Sequence, residues 1–274
     1  MKRDSDHHGE ELLSLLITRA GFLSVLAEDG PQDKRSLADT LESSRSTIDR
    51  VLRTLVDTQL VTKRNGRYEL TLSGRCALEA FERYEQTVRG LADAQELLSM
   101  LPADAPLDPV MLSGAAVHTS SPDIPDAVVE QLFTSIQDSE TLYGIAPVAI
   151  EGQLEAFYDA ATAGGTAVEM LVADELTEKL LESPRSREVI IENIQKDEVN
   201  VYRGDIPFGF GLWATDDEAG IIVYTDTGVG GVATNENEAA ISWVVELFES
   251  LQAESNVLTL ESILEKYPDE TTDD

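Results

Sequence analysis

The stretch Lys34-Arg35-Ser36-Leu37-Ala38-Asp39-Thr40-Leu41-Glu42-Ser43-Ser44-Arg45-Ser46-Thr47-Ile48-Asp49-Arg50-Val51-Leu52-Arg53-Thr54-Leu55 decides how the first third of the chain folds. Leu37, Ala38 and Leu41 recur at helical spacing, and Glu42-Ser43-Ser44 interrupts them. Ile48, Val51, Leu52 and Leu55 then line one face of a second helix, with Ser44 placed as its N-cap. After Leu60-Val61 comes Thr62-Lys63-Arg64-Asn65-Gly66-Arg67-Tyr68-Glu69-Leu70-Thr71, whose Asn-Gly pair marks a tight hairpin between two short strands. Helix, short turn, helix and basic hairpin is the order of a winged helix-turn-helix, a module that reads double-stranded DNA.

The residues off the apolar face fit that chemistry. A recognition helix enters the major groove by its first turns and needs donors there for phosphates and base edges. Arg45, Ser46, Thr47, Asp49, Arg50 and Arg53 occupy those positions. Arginine suits the O6 and N7 of guanine, and the hydroxyls suit phosphates or either base type. Lys63, Arg64, Asn65 and Arg67 sit at the hairpin tip, where they can follow phosphates or reach a minor groove. The competing reading is an ordinary set of solvated charges on a small helical domain.

The charge distribution weighs against that reading. The 274 residues carry 20 Lys+Arg against 52 Asp+Glu, a formal net charge of -32. Residues 1–90 hold 14 basic and 15 acidic side chains, leaving 6 and 37 for residues 91–274. Between Ser43 and Tyr68 six basic residues face two acids, Asp49 and Asp57. A local excess of cations in so acidic a chain is what a polyanion-binding face requires. The acidity elsewhere is spread over helices, loops and tail, which fits a halophile's cytoplasm, where salt screens repulsion to a few ångströms. Such salt also weakens binding driven by counterion release, so base contacts, fit and dimerisation must carry more of the affinity.

One cysteine, Cys76, excludes an intramolecular disulfide framework; it is expected to pack on a helix in a reducing interior. No run approaches the roughly 20 apolar residues of a membrane span, and Met1-Lys2-Arg3 leads into acids rather than an export signal. The sequence therefore reads as cytoplasmic and soluble, with no membrane partner.

Four segments follow along the chain. Residues 1–72 form the winged helix, with a first helix from Glu10 to about Ala27 preceded by a disordered arm holding His7 and His8. Residues 73–101 form a linker and dimerisation helix capped by Ser73, in which Leu78, Phe81, Tyr84, Val88 and Leu91 trace a narrow seam suited to a two-helix contact; the competing reading packs the seam on the chain's own second domain. Residues 102–267 alternate strands (from Ala115, Thr141, Ala167, Val199, Phe210 and Gly220) with helices (Asp126–Ile136, Gln153–Ala161, Glu175–Leu181, Arg187–Gln195, Asn237–Leu251 and Val257–Tyr267). That alternation predicts an α/β domain with a mostly parallel sheet. Residues 268–274 form an acidic, disordered tail.

The whole order resembles the archaeal winged-helix regulators of the methanogenesis regulatory protein and filamentous-growth regulator type. Ser43-Ser44-Arg45-Ser46-Thr47-Ile48-Asp49-Arg50 and Leu60-Val61 carry the likeness in the first half. In the second half it is carried by Leu142-Tyr143-Gly144-Ile145-Ala146-Pro147-Val148, by Asn200-Val201-Tyr202-Arg203, by Trp213-Ala214-Thr215-Asp216 and by Ile241 to Ser250. The resemblance implies a transcription regulator whose second domain senses something or mediates assembly, and it supplies no ligand; the seam of residues 73–101 adds the expectation of a homodimer.

Catalysis finds little support. The three histidines are His7, His8 and His118, and HExxH, CxxC, GxSxG and GxxxxGK[ST] patterns do not occur. α/β domains of this kind can be similar to phospholipase-like folds, but His118 is followed by Thr119-Ser120 and not by the His-x-Lys such an enzyme needs. No cofactor or metal is called for, and a non-enzyme is expected. The segment Gly204 to Gly211, with Phe208 and Phe210, reads either as a turn feeding a strand or as one wall of an effector pocket. In the second case Tyr143 and Trp213 are aromatic walls and Arg203 anchors an anionic small molecule; Tyr143 and Trp213 equally suit a core.

Overall fold

The computed structural model describes residues 2–120, 133–134, 136, 139–149, 152–162, 164–226 and 228–268. The chain divides into two compact units between Gln86 and Thr87, inside the segment read as one linker helix.

In the first unit α1 spans Lys2–Glu28, so the helix takes in the arm expected to be disordered and starts well before Glu10. Gly30, at φ 71°, turns the chain beyond it. α2 spans Lys34–Thr40; the Asp33 carboxylate caps it by accepting the N–H groups of Arg35 and Ser36 at 2.9 and 3.0 Å. α3 spans Arg45–Asp57, and β1 (Val61–Arg64) pairs antiparallel with β2 (Arg67–Leu70). Asn65 and Gly66 connect them with φ 50° and 85°. Left-handed backbone at both central positions is the turn whose twist matches a two-residue hairpin, which is why the sequence puts Asn-Gly there. Gln32 bridges to Tyr68 as a third short strand. Leu23, Leu37, Ile48 and Leu55 are fully buried beneath these elements. Each such side chain contributes about 1.5–3 kcal/mol on burial, which holds this small unit together.

α4 spans Leu72–Asp93. Its cap is Thr71, whose Oγ1 accepts the Gly74 N–H at 2.9 Å, and not Ser73. The helix predicted to continue to Leu101 stops at Ala94, and α5 (Gln95–Ser99) resumes beyond it. Cys76 is exposed on α4 and is not packed away.

The second unit is built on one eight-stranded sheet. After a 3-10 turn at Pro109–Leu112 come β3 (Ala116–Thr119), β4 (Thr141–Ala146), α6 (Leu154–Thr162), β5 (Ala167–Ala173), α7 (Asp174–Glu182), α8 (Pro184–Ile194), β6 (Val199–Gly204), β7 (Gly211–Ala214), β8 (Ala219–Thr225), β9 (Gly228–Asn235), α9 (Glu238–Gln252), β10 (Asn256–Val257) and α10 (Leu260–Lys266). The sheet order is β10-β6-β5-β4-β7-β8-β9-β3. Only β4–β5 and β5–β6 pair in parallel, so the mostly parallel sheet is corrected to a mixed one. Connection length accounts for part of this: a parallel pair needs a crossover of about a dozen residues or more, which the α6 and α7–α8 stretches supply to β5 and β6, whereas the β6–β7, β7–β8 and β8–β9 connections are too short for one. Thr215–Glu218 is long enough only for a hairpin from β7 to β8, and β9 follows β8 just as closely. The predicted helix Asp126–Ile136 lies almost wholly outside the described residues, as does the tail from 269 onward.

Strand alternation sends two sets of apolar side chains to the two faces. Leu142, Val168, Val201, Trp213 and Ile222 pack under α6, α7 and α8. Ile145, Leu171, Phe210, Leu212 and Ile221 pack under α9 and the 3-10 turn. Phe208 and Phe210 stack at 4.5 Å within that second core, so the Gly204–Gly211 segment is a turn feeding a strand.

Candidate nucleic-acid interface

The N-terminus of α3 is organised by Ser44. Its Oγ accepts the Thr47 N–H at 3.2 Å and lies 2.9 Å from both Ser46 Oγ and Thr47 Oγ1. Three hydroxyls and the free N–H groups of the first turn therefore face outward together, an arrangement that favours an anion. Arg45, Ser46, Arg50 and Arg53 are exposed, and Thr47 is half-buried. Ser46, Arg50 and Arg53 follow one another at i, i+4 and i+7 on the side away from Ile48, Val51, Leu52 and Leu55. Arg50 also edges an open groove between α1 and α3, lined by Leu15, Thr18 and Thr54 among others.

Asp49 behaves differently from its neighbours. It forms an ion pair with Lys34 across the turn between α2 and α3. The hydrogen bond from Lys34 holds the Asp49 carboxyl below its ordinary range, and Asp49 in turn raises the Lys34 ammonium. Its carboxylate is thus already engaged in fixing the two helices.

In the hairpin Lys63, Arg64, Asn65 and Arg67 are all exposed. Arg64 Nε lies 3.1 Å from Glu69, its diagonal cross-strand neighbour, and Lys63 sits 5.5 Å above the Tyr68 ring. Among the described residues no carboxylate stands within ion-pair distance of Arg45, Arg50, Arg53 or Arg67. Four of the six basic residues of this stretch are guanidinium groups available to an external anion, and one is neutralised internally. The acid that does so, Glu69, lies one residue beyond the basic stretch from Ser43 to Tyr68.

The three residues read as an effector pocket do not converge. Gly144 faces Trp213 in register, which places Tyr143 and Trp213 on opposite faces of the sheet. Tyr143 meets Phe248 of α9 edge-on at 5.3 Å. Arg203 Nε is hydrogen-bonded to Asp174 Oδ1 at 3.0 Å, so its charge is matched inside the chain. Of the three, only Trp213 lines a cavity, an apolar one of about 120 Å³ under α6–α8, together with Tyr158 and Tyr224, which the sequence reading had not singled out. His118 is exposed on the edge strand β3. Among the described residues no three His, Cys, Asp or Glu side chains are grouped to hold a metal, and no helix is long and apolar enough to cross a membrane.

Residues 125–254 match a family model. It is described as the middle domain of the methanogenesis regulatory protein FilR1. Residues 7–92 match a second, the HVO_A0261 N-terminal domain. The junction between them leaves α4 at the end of the first match, and the larger match is to a domain of a regulatory protein. No curated protein matches the chain. Among solved structures, the chain is similar to the archaeal chromatin protein TrmBL2, at 16% identity and TM-score 0.41, over 90% of this chain and 98% of that one. It is also similar to NucT from Helicobacter pylori, at 9% identity and TM-score 0.43, over 53% of this chain and 98% of that one. The phospholipase D family member Nuc from Salmonella typhimurium gives 11% identity and TM-score 0.41 over the same shares. Likenesses this distant carry no argument about activity.

Proposed function

We propose that the protein is a sequence-specific DNA-binding transcription regulator. Its first unit is a winged helix-turn-helix with α3 as recognition helix and the β1–β2 hairpin as wing, and its second unit responds to an effector. The observation that carries this reading is the Ser44-capped start of α3, with the unpaired Arg45, Arg50 and Arg53 on a chain of net charge -32. The match to a regulatory-protein domain in the second unit supports it.

Homodimerisation belongs to the same proposal. Tyr84, Val88 and Leu91, spaced by four and three residues on α4, are 53%, 44% and 42% exposed. An apolar stripe left open along one helix suits a copy of itself, and two recognition helices then address half-sites one or more DNA turns apart. The acidic surface supports a cytoplasm of high salt as the setting.

The test is a binding-site selection from genomic fragments in KCl, followed by competition with unrelated DNA. Arg45→Ala and Arg50→Ala are each expected to remove about 1–3 kcal/mol of preference for the selected site, whereas Lys63→Ala weakens all sequences evenly. Selection of the same site by the Arg45/Arg50 double variant refutes α3 as the reading helix. Retention of a protein partner with no DNA selected makes the module a protein-interaction surface instead.

A further inference from the structure

The cavity under α6–α8 is shaped by glycine. Gly144 of β4 and Gly220 of β8 flank Trp213 of β7 in register. A Cβ on Gly220 would collide with the indole and one on Gly144 with the Met170 sulfur, so the missing side chains make room for the indole over β8 and for Met170 over β4. A Cβ on Gly211 would collide with Ile222 and come within 3.0 Å of Tyr224 Oη. The lining is apolar apart from Gln153, Thr177 and three aromatic side chains that each carry a polar group. Trp213 Nε1 is fully buried and has no acceptor. Tyr158 and Tyr224 line the same space, and among the described residues neither hydroxyl makes a hydrogen bond. Burial alone pushes the Tyr158 phenol up to about 12, and it raises Tyr224 as well. Buried donors are almost always paired, so an unpaired one on a residue that lines a cavity calls for an acceptor from outside the chain.

We propose that this cavity is the effector site, and that its ligand is a neutral, ring-sized apolar molecule bearing one hydrogen-bond acceptor, received by Trp213 Nε1–H with the two phenols alongside. This rests on the effector-responsive reading of the second unit and gives it a ligand class. The size follows from the volume of about 120 Å³, close to the roughly 150 Å³ apolar cavity that takes benzene. Neutrality follows from the lining, in which, among the described residues, no Lys, Arg, His, Asp or Glu side chain takes part. An ion entering would lose its hydration with no opposite charge to replace it. This site replaces the anionic effector that Arg203 was expected to hold.

The full chain contains two tryptophans, Trp213 and Trp243, so two indole N–H signals report in a ¹⁵N-labelled sample. Trp243→Phe assigns them. The probes are acetophenone, toluene (the same ring without an acceptor) and benzoate (the ring with a charge), titrated in KCl. Acetophenone is expected to move the Trp213 signal downfield and saturably while the Trp243 signal stays still. Toluene is expected to bind more weakly without the downfield shift, and benzoate not at all. Trp213→Phe is expected to weaken acetophenone about tenfold by thermal shift, and Ala146→Leu, which fills the space, to abolish binding. Should either variant fail to fold, the titration of the parent chain decides. No saturable movement of Trp213, equal movement of both signals, or benzoate binding as well as acetophenone overturns the proposal. If the same inert sample still retards DNA, only the pocket falls. If acetophenone binds and no DNA is retarded at any ligand level, the regulator reading falls and the pocket stands.

Discussion

Replacing Glu69 by Gln should strengthen DNA binding and steepen its salt dependence, because Glu69 neutralises one of the β1–β2 hairpin's own cations. Arg64 Nε sits 3.1 Å from the Glu69 carboxylate, and both side chains remain partly exposed at 77% and 30%. A surface pair of this kind adds about 0–1 kcal/mol to stability, so its loss leaves the fold intact. It does, however, hold Arg64 at zero net contribution toward a phosphate. Each phosphate neutralised contributes roughly -0.9 to the slope of log K against log salt. One released guanidinium in each protomer of a dimer therefore steepens that slope by about 1.8, so a fourfold rise in KCl costs the variant about tenfold more affinity than it costs the parent. The assay is fluorescence anisotropy of a labelled operator across a KCl series, with Glu28→Gln, a carboxylate at the end of α1, as a control for overall charge. The companion measurement is Arg64→Ala in the parent. With Arg64 already paired, its removal should cost less than removal of the unpaired Arg67. An unchanged slope in Glu69→Gln, together with equal losses for Arg64→Ala and Arg67→Ala, refutes the reasoning.

Two further outcomes concern stability. The Asn235 Nδ2 group, buried in the second unit, donates to the carbonyl oxygens of Val110, Met111 and Ser113 at 3.2, 3.1 and 3.0 Å; Asn235→Ala strands those acceptors and should cost about 1–3 kcal/mol, read as a lower thermal midpoint, and an unchanged midpoint rejects Asn235 as the tie. In the first unit hydrogen bonds lower Asp33, through the N–H groups of Ser36 and Arg35, and Asp49, through Lys34. Carboxyls held below their unfolded values stabilise above the ordinary carboxylate range and lose that contribution as pH falls through the lowered values, while the raised Lys34 loses its share only as pH rises through its own elevated value. Urea midpoints between neutral pH and about pH 2 should therefore fall less for Asp33→Asn, which still caps α2 but does not titrate; identical pH profiles would remove Asp33 from the account.

The first unit was legible because its signals are local. The 3.6-residue period of Ile48, Val51, Leu52 and Leu55, the Ser44 cap and the Asn65-Gly66 turn each act within a few residues, and each appears where the sequence puts it. What failed there was pairing across strands: Arg64 and Glu69 are diagonal partners only once the hairpin register is known. The second unit hid more, for the same reason on a larger scale. β9 went unread because Gly228, Gly230 and Gly231 look like loop residues. A Cβ at Gly231 would crowd the His118 carbonyl and Leu97, and one at Gly230 would crowd Met100, so glycine is there to admit close neighbours inside a sheet. Tyr143 and Trp213 were grouped because both are aromatic on strands, but one residue of register sends them to opposite faces. Asp216, quoted for the family resemblance, proves to accept the backbone N–H groups of Glu140 and Thr141 at 2.9 Å each, a structural role that sequence alone does not distinguish from a ligand-binding one.

An effector in the second unit can alter DNA binding through the segment that joins it to the first, and α4 is that segment. The helix is unbroken from Leu72 to Asp93, while the division between units falls at Gln86 and Thr87. Each end is fixed within its own unit by a glycine that has no room for a side chain. A Cβ on Gly74 would collide with the Leu60 carbonyl beside the wing, and one on Gly90 with the Leu112 carbonyl of the 3-10 turn. A ligand shifts the DNA-binding state only by the difference in its affinity for two arrangements, and the expectation is that α4 carries that difference. Inserting Gly-Gly after Gln86 should therefore separate the two activities. The variant keeps the Trp213 response to acetophenone and keeps binding to single half-sites, because neither clamp is touched. It loses the ligand's effect on operator affinity, since flexible backbone now lies between the clamps. Operator binding that still responds to ligand as strongly as in the parent would show that the coupling does not run through α4.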